Sequence, residues 1–419
     1  MKFRLLSLRV FVRQHPLYGL YLLILLLALC KQWISPAELI DSGEYRNAAQ
    51  NFSAGNGWSA CLPSDICDQL SLPETRRTPG YPILIALFHY SNLLLLLQII
   101  LAAMVPPMMH KLLVKTGAEY CFKTAMILLL LYPLQFYYAA MLMPDIICQV
   151  LVLSLVMAFI EKRWLHVSLI TIALLLLKPV FMPFAWMALA GLYFFSGKQK
   201  VWLVLPSLTV LIISWFNKHQ TGLFHYTSMS VTNAFEYNIR NLVKEQASGD
   251  ETYYKMAAQK LDSLDFSGKY NFMQRETQRT ISMSPLKYAC LHIMGSAKAV
   301  LDPGRYDFVA FFQLPQGRGF MDDSTSGFWA SQPPAYWFYI IFFGLLALLK
   351  AVLTMITLFF KKLPQKWILL FPIIYTLAVV GPVGSARYLL PVMPIFIIFA
   401  AMGWYILFNK KYHESTVAE

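Results

Sequence analysis

The chain has 419 residues, of which 58% are hydrophobic and 14% charged, with a mean hydropathy of +0.52 and a formal net charge of +13. Apolar runs long enough to cross a bilayer exclude an ordinary soluble domain. Because the runs are long and lack period-two alternation, they also exclude a β-barrel, and the predicted fold class is all-α: a polytopic membrane protein with about ten transmembrane helices. The excess Lys and Arg lies mostly in short connections between apolar runs, which is a topology signal, so no nucleic-acid partner is predicted.

Lys2, Arg4, Arg9 and Arg13 precede the first apolar run, Leu17 to Ile34, which places the N-terminus in the cytoplasm. That run lacks a small-residue cleavage site before the acidic segment, so it is read as a retained span. Residues 35–81 form the first outer loop, and Tyr45, Ala48, Ala49 and Phe52 recur at helical spacing, marking an interfacial helix that ends near Gly55 to Gly57. Cys61 and Cys67 lie close together in this loop, either as a small disulfide or as two free thiols.

A short interfacial helix from Tyr81 and a span from about Leu93 come next, separated by Tyr90-Ser91-Asn92. Further spans are predicted at Thr124 to Leu142, Ile146 to Ile160, Leu165 to Leu177, Val180 to Phe195 and Val201 to Phe216. The last three crossings are Tyr336 to Phe360, Trp367 to Val380 and Tyr388 to Phe408. The chain thus divides into a transmembrane module (1–216), a large outer loop between spans seven and eight (217–334) and C-terminal helices (335–419). Every short basic connection then falls on the cytoplasmic side, and no internal repeat is visible.

With this topology Asp41, Glu44, Arg77, Asp145, Lys178 and Arg387 all lie at the outer ends of spans or in the first outer loop. Ionisable groups at such depth are costly unless paired or facing a wet cavity, so they are the candidate site. Each also has an ordinary reading. Asp41 with Glu44 three residues later resembles a capping box, Asp145 after Pro144 is a candidate N-cap, Arg77 suits any lipid phosphate, and Lys178 and Arg387 suit snorkelling. Arg77 precedes Thr78-Pro79-Gly80-Tyr81-Pro82, whose prolines stiffen the mount while Gly80 permits a close approach or positive φ. Three cations beside carboxylates suit a phosphate or diphosphate on a lipid. The histidines lack HExxH or paired spacing, the cysteines lack CxxC pairs, and no phosphate-binding glycine loop occurs, so no metal and no cofactor are predicted.

These segments resemble the polytopic glycosyltransferases of the GT-C fold, in the bacterial branch related to protein O-mannosyltransferases and lipid A aminoarabinose transferase. The resemblance rests on Asp41-Ser42-Gly43-Glu44-Tyr45, Arg77-Thr78-Pro79-Gly80-Tyr81-Pro82, Met143-Pro144-Asp145, Lys178-Pro179 and Arg387-Tyr388-Leu389-Leu390-Pro391. It implies inverting transfer of a sugar from a polyprenyl-phosphate donor to a lipid, glycan or protein acceptor at the outer face of the bacterial cytoplasmic membrane, among membrane lipids. By resemblance Asp41 is the base, Asp145 helps position the acceptor, and Arg77, Lys178 and Arg387 contact the carrier phosphate. Glu44, Tyr45, Tyr81 and Tyr388 complete the expected substrate-binding set. The family often has Arg where this chain has Lys178, which keeps charge but loses bidentate binding. The larger C-terminal soluble domain of several relatives is expected to be absent after the tenth span, leaving acceptor recognition to the outer loops. Two other readings are an O-antigen polymerase or ligase using a diphosphate-linked oligosaccharide, and a lipid-linked sugar transporter. The lack of repeats and the gathering of acids on one face weigh against transport.

Overall fold

A computed structural model of the chain describes residues 14–56, 75–89, 92–194, 197–242, 259–261, 263–314, 332–360 and 365–408, together with Phe11, Ala60 and Met256. Cys61 and Cys67 lie outside the described residues, as do Tyr90, Ser91 and the basic residues before Phe11. All regular structure among the described residues is helical. Six helices among the described residues are long and apolar enough to cross a membrane: Pro16–Ile34, Leu93–Lys115, Lys198–Thr221, Pro334–Phe359, Lys366–Val383 and Ala386–Phe408. A seventh candidate is the bent pair Glu119–Leu130 and Leu134–Ala140, and three shorter apolar helices, Asp145–Ile160, Trp164–Leu177 and Pro179–Phe194, complete the apolar set. The chain is a multi-pass membrane protein.

We number the helices that frame the site in chain order: α1 (Pro16–Ile34), α2 (Ile40–Ser53), α3 (Gly80–Leu87), α4 (Leu93–Lys115), α5 (Phe122–Leu130), α6 (Leu134–Ala140), α7 (Asp145–Ile160), α8 (Trp164–Leu177), α9 (Met182–Phe194) and α10 (Leu205–Thr221). They are followed by α11 (Met229–Asn233), α12 (Phe266–Met283), α13 (Pro285–Leu301), α14 (Arg305–Phe312), α15 (Pro334–Phe360), α16 (Lys366–Val380) and α17 (Met393–Phe408). The predicted continuous span Thr124 to Leu142 is instead broken, with α5 and α6 inclined at 67°. Pro133 accounts for this: it lacks an N–H for the ladder and pushes Tyr132 out of helical geometry. The last span also starts differently, since Ala386–Val392 is a 3₁₀ segment containing Pro391 before the α-helical part begins.

The centre of the bundle is α17, whose span is 89% buried. It fits closely against α15 because Gly403 has no side chain: a Cβ there would lie 1.9 Å from the Leu353 carbonyl oxygen. Thr357 Oγ1 donates to the Phe399 carbonyl at 2.6 Å, so a helix hydroxyl joins the pair across the same seam. Buried amides cross-brace the neighbouring helices. Gln135 and Gln149 bond one another at 2.8 and 2.9 Å, Gln135 also donates to Tyr21 Oη at 3.0 Å, and Gln149 donates to the Leu390 carbonyl at 2.9 Å. In an apolar interior such reciprocal pairs leave little amide capacity unmet, which fixes the relative register of α1, α6, α7 and the start of the last span.

At the opposite end of α7 from Asp145, roughly 24 Å away for a helix of this length, Glu161 gathers Lys115 at 2.9 Å and Arg163 at 2.9 Å. This is the basic rim that the charge pattern marks.

Candidate active site

The loop before α3 carries the first cation. Pro79 precedes the helix and Gly80 opens it, and a Cβ on Gly80 would stand 2.6 Å from the Leu176 carbonyl oxygen. Gly80 is therefore needed for close packing on the end of α8, and its φ is not positive. From the other side the loop is pinned by residues before α11: Ser228 N donates to the Thr75 carbonyl at 2.9 Å and Thr227 Oγ1 to the Arg76 carbonyl at 3.0 Å. Arg77 is thus held between two elements far apart in sequence.

Asp41 lies in the first turn of α2, but it is not the cap. Leu39 occupies the N-cap position and its N–H donates to Ser42 Oγ at 3.3 Å, so Ser42 takes the capping role expected of the Asp41–Glu44 pair. The reason is electrostatic: both Asp41 oxygens are already engaged, Oδ1 by Arg77 Nη2 at 2.5 Å and Oδ2 by Arg387 Nη2 at 2.6 Å. Glu44 bridges Arg77 and Arg76, accepting from Arg77 Nε at 2.8 Å and from Arg76 Nη2 at 2.8 Å. Burial pushes the Asp41 carboxyl up, but the guanidiniums of Arg387 and Arg77 outweigh it and hold the group well below the usual carboxylate range.

Asp145 is likewise not a cap, because Pro144 precedes the helix and the carboxylate faces Lys178. Lys178 Nζ donates to Asp145 Oδ1 at 2.7 Å, and Arg387 Nε stands 3.8 Å from the same oxygen. Arg387, at the start of the last span, thereby joins the Asp41 and Asp145 ion clusters. The extended backbone at Lys178, with Pro179 beginning a 3₁₀ turn, is what turns the lysine inward.

Asp41, Tyr45, Arg77, Lys178, Arg387 and Tyr388 share the lining of one cavity of about 360 Å³. The other expected site residues support it without lining it. Asp145, expected to help position the acceptor, is 0% exposed, lies outside the lining and is the counter-ion of Lys178. Tyr81 is fully buried, packs edge-on against Tyr45 with ring centroids 5.1 Å apart, and donates to Gln98 Oε1 at 2.6 Å. Glu44 clamps the two arginines from outside the lining.

Several residues at the site were not anticipated from the sequence. Tyr138 lies under the Arg387 guanidinium, 5.8 Å from ring centroid to charge, and donates its hydroxyl to buried Asp307 of α14. Burial pushes the Asp307 carboxyl up to about 6, against the Tyr138 hydrogen bond and the positive charge of Arg387. An acid within the apolar, aromatic helix Arg305–Phe312 is the sequence signal that marks it. The same cavity is also lined by the polar side chains Ser230, Asn233, Asn238, Tyr288 and His292. Residues Ala234–Ile239 form a π-helical turn, a feature frequent at functional sites.

Met182 of α9 and Tyr375 of α16 also line this cavity, and a second, apolar cavity of about 570 Å³ is lined by Phe184 and Met187 of α9 and by Trp367 and Phe371 of α16. At its junction with the first, Phe184 packs 4.6 Å from Tyr375. Among the described residues no cluster of three or more metal-ligating side chains occurs. Searches of protein-family models, curated proteins and solved structures returned no match to the chain.

Proposed function

We propose that this protein is a membrane glycosyltransferase that moves a sugar, with inversion, from a polyprenyl-phosphate donor to an acceptor at the outer face of a bacterial cytoplasmic membrane. The observation that carries the reading is the convergence of Arg77, Lys178 and Arg387 on one cavity, with Asp41 held between the two guanidiniums. Guanidinium forks match phosphate oxygens, and an adjoining apolar cavity suits an isoprenoid chain.

The pairing defines a working cycle. Without donor, Asp41 occupies the guanidiniums that a phosphate requires. An arriving phosphate competes for Arg77 and Arg387, which loosens their hold on Asp41 and raises its proton affinity toward a useful range. The acceptor hydroxyl then attacks the anomeric carbon while its proton passes to Asp41. The carbon–oxygen bond to phosphate breaks with its electron pair, and the lipid phosphate leaves among Arg77, Arg387 and Lys178. Asp145 acts as a positioning residue that holds Lys178. A single carboxylate base with no second acid among the described lining residues fits single-displacement chemistry, hence inversion.

This reading includes ten crossings, in which the three short apolar helices also span, at the expense of local thinning. The test is transfer by the reconstituted protein from labelled polyprenyl monophosphate sugars, followed as release of free polyprenyl phosphate with a glycosylated product. Reaction only with diphosphate-linked oligosaccharides, or translocation with no covalent product, overturns it.

A further inference from the structure

A second group of lining residues forms a wall that differs from the ions in chemistry. Asn238 Nδ2 donates to the Tyr288 oxygen at 3.0 Å, which leaves the Tyr288 hydroxyl proton and Asn238 Oδ1 without a hydrogen-bond partner among the described residues. His292 lies one turn along α13 from Tyr288 and Nε2 bonds the Ala378 carbonyl at 2.7 Å. A carbonyl only accepts, so Nε2 carries a proton, and in the Nε2–H tautomer Nδ1 is an acceptor. Ser230 and Asn233 add a hydroxyl and an amide to the same lining. Close approach makes this wall possible: a Cβ on Gly295 would lie 2.1 Å from the Gly381 carbonyl oxygen, so α13 reaches the cavity only because that position is glycine.

These groups alternate donors with acceptors and bear no full charge, which is the complement of sugar hydroxyls, each both donor and acceptor. Ser230, Asn233, Asn238, Tyr288 and His292 include no carboxylate, so an ammonium group seated on them meets no counter-charge from these side chains. The same five side chains include no Lys or Arg, so a sugar carboxylate seated on them likewise meets no counter-charge from the wall itself.

Resting on the donor reading above, we infer that Asn238, Tyr288 and His292 form a sugar subsite selective for an uncharged, hydroxyl-rich sugar over amino sugars and uronic acids. An unpaired charge buried against this wall would lose its hydration without compensation.

The experiment measures binding to the full chain in lipid nanodiscs of a short polyprenyl phosphate and of its glucosyl, glucosaminyl and glucuronosyl phosphodiesters. The glucosyl lipid is expected to bind about tenfold more tightly than the bare lipid phosphate, since each neutral hydrogen bond is worth about a threefold to tenfold factor. The glucosaminyl and glucuronosyl lipids should show no such gain. Asn238→Ala, and separately the conservative Tyr288→Phe, should each remove about threefold or more of that gain, with bare lipid phosphate still binding as a control for folding. Equal binding of the three sugar lipids, or an undiminished gain in both variants, overturns the subsite while leaving the donor reading intact. Failure of every lipid phosphate to bind overturns the donor reading and the subsite together.

Discussion

Asp41→Asn separates the proposed roles of that residue because it removes the charge and keeps the shape. In the wild type the carboxylate is 24% exposed and shared by Arg77 and Arg387. Arg77 retains Glu44 at 2.7 Å after the change, whereas Arg387 is left with Asp145 at 3.8 Å. Breaking a fully buried pair costs about 3–5 kcal/mol; with a partly hydrated carboxylate and an amide oxygen still able to accept, about 2 kcal/mol is expected here. The variant should therefore melt several degrees lower in detergent and recover when polyprenyl phosphate is added. Removing the internal competitor should leave lipid-phosphate affinity unchanged or raise it by up to about tenfold, equivalent to ~1.4 kcal/mol. Transfer should nevertheless fall by about 10² or more, the usual contribution of a positioned base. Binding isotherms and single-turnover transfer on the same nanodisc preparation give both readouts. Full transfer activity, or clearly weaker lipid-phosphate binding, refutes the reasoning.

Other perturbations have equally definite outcomes. Lys178→Met strands the fully buried Asp145 carboxylate and should cost about 3–5 kcal/mol; the added change Asp145→Asn should restore most of the loss in a thermal melt. Gly403→Ala would bring a methyl group to 1.9 Å from the Leu353 carbonyl oxygen and should destabilise by at least about 1–3 kcal/mol. Gly344→Ala, where nothing lies within 4 Å, should be neutral or stabilising in the same melt. Asp307, whose carboxyl is raised to about 6 from 3.8, favours the folded state below pH 3.8, and that advantage fades as pH rises to about 6. Its full span is about 3 kcal/mol, so Asp307→Asn should flatten the decline between those values. The groups facing Asp307 are Tyr138, Arg387, Asp302 and Asp145, and the effect should appear in denaturation as a decline in stability from pH 3.8 that levels off above about pH 6.

Much of the architecture was legible because hydropathy and helix length act locally. The end of α1 at Ile34, the start of α4 at Leu93 and the hinge at Lys178-Pro179 all follow from runs of residues and their interruptions. The break at Pro133 is open to the same reasoning, but the long apolar run around it masks the signal. The ions were legible as candidates because charge at the ends of apolar helices is conspicuous, but their pairing was not. Whether Asp41 caps α2 or binds arginines depends on Arg387, 346 positions away in the chain (387 − 41). The wall of Asn238, Tyr288 and His292 was invisible for a related reason: ordinary polar residues on separate elements become a surface only through the contact of Gly295 with Gly381. Asp307 left a trace, an acid among aromatic residues, that charge counting overlooks.

The buried glutamine bracing has a consequence for how such a protein can diversify. Gln98, Gln135 and Gln149 tie the helices behind the ion cluster to one another through bonds internal to the bundle. The amide wall hangs on α13 and the turn after α11, which Asn238 and Tyr288 join to each other, while His292 at Ala378, Ser296 at Leu377 and the backbone contact at Gly381 tie α13 to the end of α16, and none of these contacts passes through the glutamines. Side chains on that wall can therefore be exchanged without disturbing the register of the charged groups. A lineage retaining the bracing and the ions while varying positions 238, 288 and 292 would inherit its chemistry and renegotiate only its choice of sugar.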